Sequence, residues 1–146
     1  MLKVLVAEDS VLIADMLEDI LASQGYDVCG MARTVGEAVI LADLHNPDLA
    51  VLDFRLADGE FGSQIRPLLK DKETMGILYV SGDPLGDILT SLDGDAYIQK
   101  PYGIDDLIRA LRAVREIKTT GQPSGHHCPK SLHLLKSPSG PDHRVA

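Results

Sequence analysis

The chain has only two cysteines, Cys29 in an apolar stretch and Cys128 near the C-terminus. Neither a disulfide framework nor a paired zinc-ligand spacing is available to it, and redox chemistry is not expected. Long hydrophobic runs are also missing. Stretches such as Ala38 to Ala42 fall far short of the roughly 20 apolar residues that span a bilayer. The start, Met-Leu-Lys, leads straight into a strand-like run without the basic segment, apolar stretch and cleavage site of a secretory signal. A cytoplasmic location with no membrane partner is therefore expected. Basic residues are few, 14 Lys and Arg against 22 Asp and Glu, for a net charge of −8. The deficit is uneven: residues 1–117 hold 21 acidic and 10 basic side chains, and residues 118–146 hold one and four. So acidic a body repels nucleic acid, and none is expected as a partner.

What is present suffices for one domain: 146 residues, 45% of them apolar, can bury a single core without staples. Short β-branched runs alternate with helical patterns, the arrangement that produces repeated βα units and a parallel sheet covered on both faces. The strand-like runs are Lys3 to Ala7, Asp27 to Ala32, Asp48 to Phe54, Ile77 to Ser81 and Ala96 to Gln99. After the first, Ile13, Met16, Leu17, Ile20 and Leu21 form one helical stripe opposite Asp15, Glu18 and Asp19, and Gly25 ends it. Thr34 with Glu37 reads as a capping box for a second helix that stops before Asn46-Pro47. A third helix is expected after the third strand, with Ser63 as N-cap and Pro67 in its first turn. Between Gly82 and Asp95, glycines, a proline and aspartates leave room only for a short or irregular fourth helix. Ile104, Leu107, Ile108, Leu111 and Val114 mark the last one.

Beyond Lys118 the composition turns to Gly, Pro, Ser, His and Lys without period, so 118–146 is expected to be a flexible tail on a domain of residues 1–117. His126, His127, Cys128 and His133 lie in it, but without ligand spacing or scaffold they are not expected to form a metal centre.

In an open parallel sheet, ligands bind beyond the carboxyl ends of the strands. The first strand ends in Glu8-Asp9, the third in Asp53, the fourth in Ser81 and the fifth in Lys100-Pro101. Three carboxylates brought together there repel one another and call for a cation. Mg²⁺ suits such a set because it keeps several waters and completes its shell from phosphate. Lys100 and Ser81 add a fixed charge and a hydroxyl, completing a set that stabilises a transferring phosphoryl group.

With these residues in place, the sequence over about residues 1–117 resembles the receiver domain of bacterial two-component response regulators. The resemblance implies a flavodoxin-like α/β fold: a doubly wound five-stranded parallel sheet, order 2-1-3-4-5, with five helices. It further implies that Asp53 accepts phosphate from a sensor histidine kinase or histidine phosphotransfer protein. Metal would be bound by Asp9, Asp53 and the main-chain carbonyl of Arg55, with Glu8 acting through water. Ser81 and Tyr97 would be the switch residues, and the signal would pass to a downstream protein target.

The chain departs from the family pattern in three respects. The stretch between Ser81 and Lys100 is short, as in a subgroup of receivers common in alphaproteobacteria. Ala57 stands where a proline is frequent, and Arg55 and Asp83 hold positions that tune dephosphorylation. Two other readings compete. A haloacid-dehalogenase-type phosphatase needs a second Asp two residues after the nucleophile, where this chain has Arg55. A phosphorylation-independent pseudo-receiver would not need the intact set of acids, hydroxyl and lysine. The expected protein is thus a phosphoacceptor rather than a turnover enzyme.

Overall fold

The computed structural model describes residues 1–71, 74–123 and 128–138. Strands β1 (Lys3–Ala7), β2 (Asp27–Ala32), β3 (Leu49–Asp53), β4 (Gly76–Ser81) and β5 (Ala96–Gln99) pair in parallel in the order β2-β1-β3-β4-β5. This is the expected sheet, with β3 starting and ending one residue inside the expected range and β4 starting one residue earlier. Every residue of β3 and β4 is buried, as a strand covered on both faces requires.

Helix α1 (Val11–Ser23) starts where Ser10 Oγ accepts from the Ile13 N–H, and Gly25, at φ +89°, turns the chain after it. Helix α2 (Val35–His45) has the expected box: Thr34 Oγ1 accepts from the Glu37 N–H at 3.2 Å and Glu37 Oε1 from the Arg33 N–H at 2.9 Å. Asn46, in the left-handed region at φ 49°, closes it. Helix α3 (Ile104–Thr120) runs past the expected boundary at residue 117 and stops at Gly121, φ +88°. The buried stripes of α1 and α3 cover one face of the sheet: Leu17 and Leu21 join Leu107, Leu111 and Val114 over Val6, Val51 and Ile98. On the opposite face, α2 and the irregular segments around Ile65, Leu85 and Leu89 pack over Leu5, Leu52 and Tyr79.

Three departures from the sequence reading have physical causes. Five helices were expected, and the described residues hold three α-helices. The stretch after β3 forms three short 3-10 turns (Ala57–Gly59, Gly62–Gln64, Arg66–Leu68) in place of a helix with Ser63 as N-cap. Gly59 turns the chain at φ +73°, Gly62 is pressed against β3, and Pro67 offers no N–H, so no continuous helix can start there. The stretch between β4 and β5 contains turns only.

The third departure concerns the expected flexible tail. Leu132–Leu134 forms β6, antiparallel to β5 at the sheet's edge, with Ala96 facing Leu134, Tyr97 facing His133 and Ile98 facing Leu132. Its leucines supply the reason: Leu132 and Leu135 are 8% and 7% exposed and enter the cores on opposite faces of the sheet. Of the His- and Cys-bearing set in this region, His126 and His127 lie outside the described residues. The His133 ring stacks on Tyr97 at 4.8 Å. No helix among the described residues is long and apolar enough to cross a membrane.

Candidate functional site

The sheet's backbone ladder carries the site residues to one rim. The Glu8 N–H donates to Ala32 O at 2.9 Å, Phe54 N–H to Val80 O at 2.9 Å, and Lys100 N–H to Ser81 O at 2.8 Å. Each strand end is thus tied to its neighbour just as the chain leaves the sheet. Glu8, Asp9 and Asp53 each offer a carboxylate oxygen within 4.8 Å of the others. Glu8 and Asp53 are buried, at 5% and 6% exposure, while Asp9 faces solvent.

Lys100 Nζ donates to Asp53 Oδ2 at 3.0 Å, and the Arg55 N–H reaches Asp53 Oδ1 at 3.4 Å. A single ammonium faces three carboxylates, and the electrostatics shows the shortfall. Burial, reinforced by the hydrogen bond and charge of Asp53, pushes the Glu8 carboxyl up to about 8 from an ordinary 4.5, although Lys100 pulls the other way. Tyr102, just past the cis Lys100-Pro101 peptide, is raised by burial and by the charges of Glu8 and Asp53.

Ser81 is buried and accepts from the Asp83 N–H at 3.0 Å, which fixes its hydroxyl at the mouth of the site. An open groove of about 350 Å³ is lined by Asp9, Asp53, Arg55, Ser81, Asp83 and Lys100. The Arg55 side chain reaches over it to Asp83 at 3.3 Å, with its guanidinium 6.0 and 5.6 Å from the Phe54 and Phe61 ring centres. A guanidinium, which keeps its proton in proteins, stands where a dehalogenase-type phosphatase needs its general-acid Asp.

The structure therefore gathers Glu8, Asp9, Asp53, Arg55, Ser81 and Lys100. It does not bring Tyr97 to the groove: that ring is buried at the β5 edge under His133. Gly62 was not singled out from the sequence. A Cβ there would collide with the main-chain oxygen of Asp53, so its bare backbone lets the post-β3 loop fold back against the end of β3. The Gly62 N–H donates to Phe54 O at 2.7 Å. A lone glycine in a loop carries no sign of such a contact.

Comparison with known proteins agrees with this arrangement. Residues 4–112 match the response regulator receiver domain. A curated relative, the transcriptional regulatory protein PdtaR of Mycobacterium tuberculosis (strain CDC 1551 / Oshkosh), is 33% identical over 112 residues, covering 75% of this chain and 54% of the relative. The chain spans about half the length of the curated relatives it matches. Among solved structures, the signal receiver domain of a modulated diguanylate cyclase from Desulfovibrio desulfuricans G20 superposes with a TM-score of 0.70 at 28% identity, covering 84% of this chain and 99% of that one. The response regulator PhyR from Brucella abortus gives 0.61 at 26% identity, covering 70% and 43%. By the profile match, the sheet order and the acid-lined rim together, this chain belongs to the response regulator receiver domain family of two-component systems.

Proposed function

We propose that Asp53 is the phosphoacceptor of a phosphorylation-switched receiver, taking its phosphoryl group from a phosphohistidine of a sensor kinase or phosphotransfer protein. Receiver domains of this family interact with histidine kinases and downstream targets. The observation that carries the reading is the buried Asp53 carboxylate, with Lys100 at 3.0 Å and two further carboxylates beside it, at the floor of an open groove.

The donor set suits Mg²⁺: hard oxygen ligands, excess negative charge and room for water and phosphate oxygens. Asp9, Asp53 and the main-chain carbonyl of Arg55 would hold the ion, with Glu8 acting through water. When bound, the ion offsets the carboxylate charge and the charge on the phosphoryl oxygens. In the transfer itself, an Asp53 oxygen forms a bond to phosphorus as the bond to the donor imidazole nitrogen breaks. Lys100 faces the negative charge that gathers on the transferring group, and the Ser81 hydroxyl offers it a donor. Tyr97, on the same strand as the residues leading to Lys100, serves as the readout on the β5 face.

Intact-mass measurement after adding a small phosphodonor with Mg²⁺ tests this. The wild type should gain one phosphoryl group that is lost in alkali, and Asp53→Asn should gain none. Equal labelling of the two proteins would refute the assignment.

A further inference from the structure

We propose that the outer edge of β5 is a docking site for an extended peptide of a partner protein, and that residues 131–136 of this chain occupy it in cis until displaced. The proposal stands apart from the phosphoryl chemistry. The parallel sheet is complete at β5, whose outer edge would otherwise expose unpaired backbone groups, a template for a further strand. The chain's own segment shows what that edge accepts.

The seating is specific. Beyond the three facing pairs of the ladder, the Leu135 N–H donates to Asp95 O at 3.0 Å, the Ser91 N–H to Lys136 O at 2.9 Å, and Ser131 Oγ to Asp106 Oδ2 at 3.1 Å. Leu132 fills a site on the α3 side of the sheet, Leu135 one on the opposite side, and the His133 ring lies on Tyr97. Backbone pairing of this kind supplies affinity and the side-chain sites supply selectivity. The matching ligand is an extended segment with leucine-like residues at its first and fourth positions and a flat ring at its second. An open groove of about 720 Å³ beside the strap, bordered by Asp87, Thr90, Tyr97, His133 and Lys136, leaves space for an incoming chain.

The strap is also built to leave. It is a three-residue strand at the sheet's outer edge, and Leu132 and Leu135 are the side chains of residues 131–136 that are buried in the cores. Because the segment is tethered to α3, it competes at an effective concentration on the order of millimolar, so a free peptide meets a strong cis rival.

The test uses the full chain and a labelled peptide of residues 128–138, titrated by fluorescence anisotropy. Leu132→Asp/Leu135→Asp and, separately, His133→Pro should each bind the peptide at least tenfold more tightly than wild type does. A scrambled peptide should bind none of them. In the wild type, hydrogen exchange should show the amides of residues 132–135 opening at least tenfold faster than those of 49–53, a measurement that does not depend on either variant folding. Unchanged affinity in the variants, equal binding of the scrambled peptide, or strap amides that exchange only with the core would overturn the proposal. So would a wild-type dimer that the double substitution dissociates, because the occupant would then be a second copy.

Discussion

At the rim of the sheet, three carboxylates stand within 4.8 Å of one another against a single ammonium. Three residues back along β5, Tyr97 meets His133 through ring stacking, with Leu132 and Leu135 buried on either side. The rim gathers carboxylates that its surroundings balance only in part, and burial, reinforced by the neighbouring Asp53, pushes the Glu8 carboxyl up to about 8. The strap satisfies its backbone and buries its leucines, but over only a few residues. Function-bearing tension in this molecule is thus electrostatic at one end of β5, and a matter of limited contact area along its edge.

The largest expected effect separates the strap from the true core. Leu111→Ala, in the fully buried stripe of α3, should cost about 2–5 kcal/mol, the range for emptying a packed leucine site. Leu132→Ala should cost less, because a strap that can open locally caps the loss at its own docking energy. Urea denaturation of the two variants measures the difference, and equal losses would make β6 part of the core.

Gly62→Ala should follow at about 1–3 kcal/mol, because the added Cβ meets the Asp53 carbonyl and the loop or β3 must shift. It should also slow labelling of Asp53 by a phosphodonor. Wild-type stability and labelling rate in this variant would show that the close packing of loop and strand is not needed.

Truncation after Gln122 removes the strap entirely and should cost about 1–2 kcal/mol, beyond the usual effect of a surface change. Thermal unfolding of the shortened chain measures it. Phosphoryl acceptance should survive, since none of the rim residues lies in the deleted segment.

A smaller effect concerns pH without metal. Below about 4.5, Glu8 holds its proton whether the chain is folded or not. As pH climbs toward about 8, the unfolded chain releases that proton while the folded one retains it. The contribution of Glu8 to stability is therefore fully present in acid and declines as pH rises through that window, the reverse of a salt-bridged carboxylate. Glu8→Gln cannot ionise and should flatten the decline by at least ~1.4 kcal/mol, the worth of one pH unit. Urea midpoints at several pH values with chelator present check this, and identical pH profiles for the two proteins would contradict it.

The rim was legible in the sequence because a parallel sheet dictates where strand ends point: Glu8, Asp9, Asp53, Ser81 and Lys100 could each be placed from strand boundaries alone. The Thr34–Glu37 box was legible for a similar reason, since capping is local chemistry. The strap was not. Leu132, Leu134 and Leu135 sit among Ser, Lys, Pro and His with no sustained alternation, and three residues of β6 gain their order from β5, far away in sequence. The loop after β3 escaped for the opposite reason. Ser63 and Pro67 read as the N-cap and first turn of a helix, while the deciding contact, Gly62 against the Asp53 carbonyl, exists only in three dimensions. Tyr97 entered as a switch residue implied by the family resemblance, and nothing in the sequence marked it as the partner of His133.

The claim that the rim holds uncompensated carboxylates awaiting a cation is tested most directly by thermal unfolding of wild type and Asp53→Asn across a Mg²⁺ titration. Removing one charge from the carboxylate cluster should make Asp53→Asn more stable than wild type when chelator is present. With a dissociation constant on the order of 1 mM, about 10 mM Mg²⁺ should stabilise the wild type by about 1.4 kcal/mol and the variant by much less. A metal-free Asp53→Asn no more stable than wild type, together with equal responses to Mg²⁺, would contradict the account.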